Sequence, residues 1–122
     1  MGFEKIAEFE RELSKFTGAP YVIMTDCCTH AIELCLRYKK PKKVAFTYNT
    51  YLSIPMMMRK LEIPYLFNFE EWLGEYRIHG TNIWDSARLL QQNMYRLGMM
   101  QCLSFGHDKP RSEEHTSELQ SH

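Results

Sequence analysis

Four side chains near the ends of predicted strands have types that could serve one chemical task. Asp85 ends the apolar run NIWD, and Lys109 lies 24 residues later. Thr29 and Ser104 each follow a predicted strand, where a hydroxyl group and free backbone N–H groups can bind a phosphate. A carboxylate can keep a ring nitrogen protonated, and a lysine can form a Schiff base with an aldehyde. These side chains share a task only if the fold brings them together.

Each of these residues also has an ordinary structural explanation. Thr29 could cap a helix, Asp85 could cap the turn after its strand, and a single Lys is usually solvated. Their positions along the chain give them weight, because polar clusters follow predicted strands at residues 26–30, 47–51, 85–88 and 104–109. In α/β sheets, ligands bind beyond the carboxyl ends of the strands. The four clusters are therefore candidate parts of one site.

The spacing of apolar residues predicts the elements that must position these clusters. Helices are predicted over about residues 3–16, 29–38 and 51–61, and strands over 21–24, 44–46, 65–67, 82–85 and 101–105. Strands that alternate with helices indicate βαβ units. We therefore expect an α/β fold with three layers, in which helices flank a mostly parallel sheet.

Composition and charge argue against several functional classes. With 44% hydrophobic and 25% charged residues, the 122-residue chain is typical of a globular domain. Its 15 Lys and Arg balance its 15 Asp and Glu, which favours no nucleic-acid or anionic membrane partner. No apolar run approaches the roughly 18 residues of a membrane span, and no signal peptide is evident. The four cysteines lack the pattern of a secreted scaffold, so we expect a cytoplasmic protein with reduced thiols.

The end of the chain differs in character from the rest. Residues 111–122 read RSEEHTSELQSH and contain one large apolar residue, Leu119. This string resembles the in-frame translation of a sequencing-adapter oligonucleotide, so we predict a non-native or disordered tail there. Without it, residues 1–110 hold 14 basic and 12 acidic residues, a net charge of +2.

The order of the motifs resembles the large domain of fold-type-I pyridoxal phosphate (PLP) enzymes, in particular the DegT/StrS-type sugar aminotransferases. The resemblance covers about residues 3–110. Five motifs carry it: FERELSKFTGAPY (9–21) for the opening helix and strand, DCCTHAI (26–32) for the phosphate turn, FTY (46–48) for the stacking aromatic, DSAR (85–88) for Asp-Ala-Ala-Gln, and SFGHDK (104–109) for Ser-Phe-x-x-x-Lys.

The resemblance implies a cofactor, a reaction and a set of roles. It implies that PLP forms a Schiff base with Lys109, which also moves the substrate proton, while Asp85 keeps the ring nitrogen protonated. The positions it assigns to the cofactor are Cys28, Thr29, Tyr48, Asp85, Arg88, Ser104 and Lys109. The implied reaction transfers an amino group from an amino-acid donor to a nucleotide-linked keto sugar. Family members are usually homodimers, so the resemblance implies that state as well.

Three features depart from the family pattern. Cys28 stands where the family has Gly, and Arg88 stands where it has Gln. The interval of 56 residues between Thr29 and Asp85 is short, with a substrate-side segment reduced to about residues 72–80. We expect residues 1–110 to form a partial PLP-binding large domain, truncated after Lys109, and the chain to be inactive alone.

Other interpretations remain open at this stage. A non-catalytic PLP-binding or phosphate-binding α/β protein could keep the fold without the reaction. A zinc or thiol site could use Cys27, Cys28 and His30, with Cys102 as a further ligand, although no C-x-x-C pair is present. The presence of both Asp85 and Lys109 argues against a non-catalytic protein, and phosphate binding alone does not explain their pairing. Because no second Cys/His pair is suitably spaced, we predict no metal site.

Overall fold

The computed structural model describes residues 2–104. These residues form three helices and five strands: α1 (Gly2–Thr17), α2 (Cys28–Lys39), β1 (Val44–Thr47), α3 (Ser53–Lys60), β2 (Tyr65–Asn68), β3 (Tyr76–Ile78), β4 (Ile83–Asp85) and β5 (Met100–Cys102). Lys109 and the predicted tail at 111–122 lie outside the described residues, as does the predicted domain boundary at 110.

The strands form two short sheets that meet at one bridge. β1 pairs with β2 in parallel, while β4 pairs antiparallel with β3 and parallel with β5. The backbone groups of Ala45 and His79 exchange two hydrogen bonds, of 3.1 and 2.8 Å, which connect β1 to the end of β3. It follows that β1, β2, β4 and β5 run in the same direction and that β3 alone is reversed.

A glycine permits the contact between the two sheets. Gly80 follows the bridge residue His79 and has φ +97°, a conformation that other residues rarely adopt. A Cβ atom at Gly80 would lie 2.7 Å from the carbonyl oxygen of Lys43, which is closer than two such atoms can approach. The turn between β3 and β4 can therefore pass close to β1 only with glycine at this position.

One apolar core joins the helices to the sheets. Ile32 of α2, Ile54 and Met58 of α3, and Phe46 of β1 are all buried in it. Because α2 and α3 share this core with strands of both sheets, the described residues form a small α/β structure. The three-layer, mostly parallel arrangement expected from the sequence is not confirmed by these residues.

The predicted strand at residues 21–24 is wrong. This segment forms no strand, and the side chains of Tyr21 and Ile23 are 88% and 80% exposed. Strand-forming residues become a strand only when a neighbouring strand pairs with them and their side chains pack. No strand of the described residues pairs with this segment, and the Met24 N–H instead donates to Oε2 of Glu10 at 2.9 Å.

The other predicted elements are confirmed, with small shifts at their ends, except that residue 105 of the last predicted strand lies outside the described residues. β3 was not expected, since its residues fall in the segment at 72–80 that the sequence resemblance treated as a shortened substrate-side unit. None of the described helices has the length and apolar character that a membrane span requires.

Candidate functional site

The first turn of α2 positions Cys28 and Thr29. The helix begins at Cys28, directly after Cys27, whose backbone is extended (φ −161°, ψ 164°) and whose side chain caps no N–H group. The first N–H groups of a helix lack partners within the helix, and the helix dipole makes that end favourable for anions. Thr29 therefore lies where a phosphate group could be bound.

Asp85 lies at the carboxyl end of β4, in register with Tyr76 of β3 and Cys102 of β5. Its side chain is buried, with the residue 4% exposed. Oδ2 accepts a hydrogen bond from the Tyr76 hydroxyl at 2.8 Å, and Oδ1 accepts one from the Ala87 N–H at 3.2 Å. These donors hold the carboxylate in one orientation and compensate in part for its removal from water.

Cys28 brings the first turn of α2 against this carboxylate. Its thiol is buried, 3.7 Å from Oδ1 of Asp85 and 3.6 Å from the carbonyl oxygen of Cys102. The two carboxylate oxygens therefore have different surroundings. Oδ2 is bound by Tyr76, whereas Oδ1 faces the beginning of α2.

Ser104 lies two residues beyond the end of β5 and is buried. Because β4 and β5 are parallel, Asp85 and Ser104 are at the same edge of the sheet. The structure thus brings four of the residues named from the sequence to one place, where α2 begins and β4 and β5 end. We call them the strand-end cluster: Cys28, Thr29, Asp85 and Ser104.

Tyr48 and Arg88 have partners that the sequence did not indicate. Tyr48 follows β1, is 59% exposed, and its ring centroid lies 5.3 Å from that of Phe69. The exposed Arg88 donates from Nη2 to the Tyr51 hydroxyl at 2.8 Å, and its guanidinium lies 5.5 Å from the centroid of that ring. The cofactor roles that the resemblance implies for these two residues stay predictions, as does that of Lys109.

Tyr76 is a residue of this site that the sequence reasoning missed. Its buried hydroxyl donates to Asp85 and also contacts the Thr50 hydroxyl. Burial, and then the charge of Asp85, raise the pKa of Tyr76 far above its ordinary value, so the hydroxyl stays neutral and remains a donor. In the sequence, the apolar residues Tyr76 and Ile78 alternate with the charged Arg77, and this alternation could have predicted a strand here.

Besides Cys28, a second cysteine of α2, Cys35, contacts Cys102. The Sγ atoms of Cys35, on α2, and Cys102, on β5, are 3.8 Å apart. The hydrogen bond from Cys102 lowers the pKa of Cys35, while the same contact and burial raise the pKa of Cys102. Both cysteines are free thiols.

The four residues considered as zinc ligands lie in two separate places: Cys27, Cys28, His30 and Cys102. Cys27 and His30 are exposed, and their ligand atoms lie within 4.8 Å of each other and of Asp26. Cys28 and Cys102 are instead buried. In the part of the chain that the structure describes, the four residues of that alternative therefore do not meet as one ligand set.

Comparison with known proteins identifies a family. The sequence profile of the DegT/DnrJ/EryC1/StrS aminotransferase family matches residues 1–63. The matched stretch includes Thr29 and Tyr48, whereas Asp85 and Ser104 lie beyond it. Searches of the curated proteins and of the solved structures found no significant match. Since the profile matches more than half of the 122 residues, the chain belongs to the DegT/DnrJ/EryC1/StrS aminotransferase family.

Proposed function

We propose that the strand-end cluster is part of the PLP site of an aminotransferase that transfers an amino group from an amino acid to a nucleotide-linked keto sugar. Membership of an aminotransferase family that is PLP-dependent in general supports the chemistry. The observation that carries the proposal is the buried carboxylate of Asp85 beside the first turn of α2. That arrangement puts a partner for a ring nitrogen next to a partner for a phosphate.

The phosphate end of the cofactor fits the beginning of α2. This helix has 12 residues, and the side chain of its N-cap residue, Cys27, makes no hydrogen bond to its first N–H groups. Thr29 in its first turn and Ser104 after β5 would add hydroxyl donors at the same edge of the sheet. A helix N-terminus with nearby hydroxyl groups is a favourable environment for a phosphate dianion.

The ring end of the cofactor fits Asp85. A protonated ring nitrogen needs a carboxylate that is fixed in place and shielded from water, and Asp85 meets both conditions. Tyr76 would hold Oδ2 and so position the carboxylate, while Oδ1 faces α2. Cys28 does not match the family pattern at this end, because its thiol lies against Oδ1 where the resemblance expects glycine.

The remaining roles are those that the resemblance to the family implies. PLP, when bound, supplies an aldehyde that accepts the amino group and a ring that withdraws electrons. Lys109 Nζ would hold that aldehyde and, once displaced by the amino donor, move the α proton of the substrate. Asp85 would hold the proton on the ring nitrogen, and Tyr48 would supply an aromatic face beside the ring. A homodimer in the cytoplasm, as in the family pattern, is part of the same proposal.

The proposal is tested by reductive labelling of the chain. The protein is incubated with PLP, reduced with borohydride and digested, and the pyridoxyl label is located by mass spectrometry. We expect the label on Lys109, its loss in Lys109→Ala, and its retention in the matched control Lys39→Ala. A label spread over other lysines, or one that persists in Lys109→Ala, would overturn the assignment.

A second experiment separates transfer from simple binding. The PLP-loaded protein is mixed with Glu or Gln, and the absorbance of the cofactor is followed as its aldehyde is converted to an amine. Conversion supports the aminotransferase, and subsequent reaction with nucleotide-linked keto sugars would identify the acceptor. Cofactor binding without conversion by any donor would agree with the expectation that the chain is inactive alone, and would support only the cofactor-binding part of the proposal.

A further inference from the structure

Two thiols on different elements meet beside the strand-end cluster. Cys35 lies on α2 and Cys102 on β5, and these two elements pack against each other. Their Sγ atoms are 3.8 Å apart, and both cysteines belong to or pack against the apolar core. From the sequence, Cys102 was a candidate only for the zinc alternative, and Cys35 had no role.

We propose that Cys35 and Cys102 form a redox modification site, at which a small organic disulfide such as oxidised glutathione converts the two thiols into an intramolecular disulfide. A disulfide has an S–S distance of about 2.0 Å, so the two sulfur atoms need to approach by about 1.8 Å in total. Small rotations of two side chains can supply a movement of that size. The proposal does not depend on PLP binding.

The surroundings give the two thiols different roles. Cys35 is partly exposed, and the hydrogen bond from Cys102 lowers its pKa, which favours the nucleophilic thiolate. Cys102 is buried, and its pKa is raised, so it is the poorer first nucleophile. Cys35 therefore reacts first with the small disulfide, and Cys102 resolves the product.

The exchange balances as two thiol–disulfide steps. The Cys35 thiolate attacks one sulfur of oxidised glutathione, which forms a mixed disulfide on Cys35 and releases one glutathione thiolate. Cys102 then gives up its proton and attacks the Cys35 sulfur, which releases the second glutathione thiolate. In sum, two protein thiols are oxidised and one small disulfide is reduced to two thiols.

The new bond would connect α2 to β5 next to Asp85. Cys102 is the register partner of Asp85, and its carbonyl oxygen accepts the Ser86 N–H at 2.8 Å. The same oxygen lies 3.6 Å from the thiol of Cys28. Oxidation would thus restrain the elements that bear the strand-end cluster, and the oxidised chain should unfold at a higher temperature than the reduced one.

The test is oxidation of the full chain with oxidised glutathione, followed by alkylation of the remaining thiols and tryptic digestion without reduction. Cys27, Cys28 and Cys35 share the tryptic peptide 16–37, and Cys102 lies in 97–111, so variants must identify the partner. We expect cross-linking of the two peptides in the wild type and in the matched control Cys27→Ser. The cross-link should be lost in Cys35→Ser and in Cys102→Ser.

Melting temperatures give an independent readout. Oxidation should raise the melting temperature of the wild type and of Cys27→Ser but leave that of Cys35→Ser unchanged. A cross-link that persists in Cys35→Ser would assign the bond to Cys27 or Cys28 and overturn the proposal. So would four thiols that all remain alkylatable after oxidation, or an oxidised wild type that melts at the same temperature as the reduced chain.

Discussion

The beginning of α2 and the region before it carry similar sequence signals but have very different structures. Both combine an apolar helix pattern with a short apolar run: α1 is followed by the run at 21–24, and α2 is followed by the run that forms β1. In α2, the apolar side chains pack on β4 and β5, and Cys28 reaches Asp85. In α1, only Leu13 and Thr17 of 16 residues are buried, Phe3 is 89% exposed, and the apolar run at 21–24 forms no strand.

The difference between these regions is the presence of a packing partner. An apolar stripe on a helix is stabilised mainly by tertiary packing, and a strand by the strands beside it. α2 packs on β4, β5 and α3. α1 is held chiefly through its C-terminal end, where the carbonyl groups of Phe16 and Thr17 accept N–H groups of Asn93 and Tyr95. We therefore expect substitutions near α2 to have larger effects than matched substitutions in α1.

The largest effect should come from the core beneath the strand-end cluster. Phe46 is fully buried in β1, and Phe46→Ala should lower the free energy of unfolding by about 3–5 kcal/mol, since it removes a large side chain and leaves a cavity. Phe3→Ala, on the exposed face of α1, should change it by less than about 0.5 kcal/mol. Urea unfolding measures both. Equal losses would contradict the contrast between the two regions.

Removal of the Tyr76 hydroxyl should have the next largest effect. Tyr76→Phe keeps the ring but deprives Oδ2 of the buried Asp85 of its donor, so we expect a loss of about 1–3 kcal/mol. Tyr21→Phe is the matched control, because Tyr21 is exposed. If both variants unfold at the same urea concentration, the contact between Tyr76 and Asp85 contributes nothing to stability.

Alkaline pH should lower the stability of the folded chain without a mutation, through the same tyrosine. The pKa of Tyr76 is raised in the folded chain, so above about pH 10 the unfolded chain has lost this proton while the folded chain retains it. The folded state then binds more protons, and stability falls as pH rises, with a limiting slope of about 1.4 kcal/mol per pH unit. Unfolding measured from pH 9 to 11 should show this loss in the wild type and a smaller one in Tyr76→Phe. Identical slopes would remove Tyr76 as the cause.

Cys28→Gly should produce the smallest effect and concerns binding rather than stability. It removes the thiol from Oδ1 of Asp85 and restores the residue type of the family pattern. We therefore expect pyridoxamine phosphate, the amine form of PLP, to bind about 3- to 10-fold more tightly, a gain of about 0.7–1.4 kcal/mol in binding free energy. Cys27→Gly, at the exposed neighbouring position, should leave the affinity unchanged. Isothermal titration calorimetry measures both. Weaker binding by Cys28→Gly alone would mean that the thiol contributes to the site.

The helices and the polar residues at strand ends could be predicted because local signals determine them. The spacing of apolar residues in α2 and the polar residues after β4 and β5 can be recognised in the sequence itself. Parallel strands then bring their carboxyl ends to the same edge of the sheet. Asp85 could be assigned to an edge of the sheet in this way. The residues that contact its two carboxylate oxygens could not be predicted, because Cys28 and Tyr76 lie on other elements.

The errors concern long-range pairing. The run at 21–24 has strong strand propensity, but propensity does not reveal whether a second strand will lie beside it. β3 was overlooked because it has only three residues and lies in a segment interpreted by analogy, and its reversed direction depends on the bridge between Ala45 and His79. Both outcomes depend on contacts between distant parts of the chain.

The most direct test of the strand-end cluster as a cofactor site is the affinity of Asp85→Asn for pyridoxamine phosphate. The substitution keeps the size of the side chain but removes the charge that a protonated ring nitrogen requires. Asp26→Asn, at an exposed position, is the matched control, and circular dichroism verifies that each variant is folded. We expect Asp85→Asn to bind about 10- to 100-fold more weakly than the wild type, and Asp26→Asn to bind as the wild type does. Equal affinity in Asp85→Asn, or no binding by the wild type, would contradict the assignment.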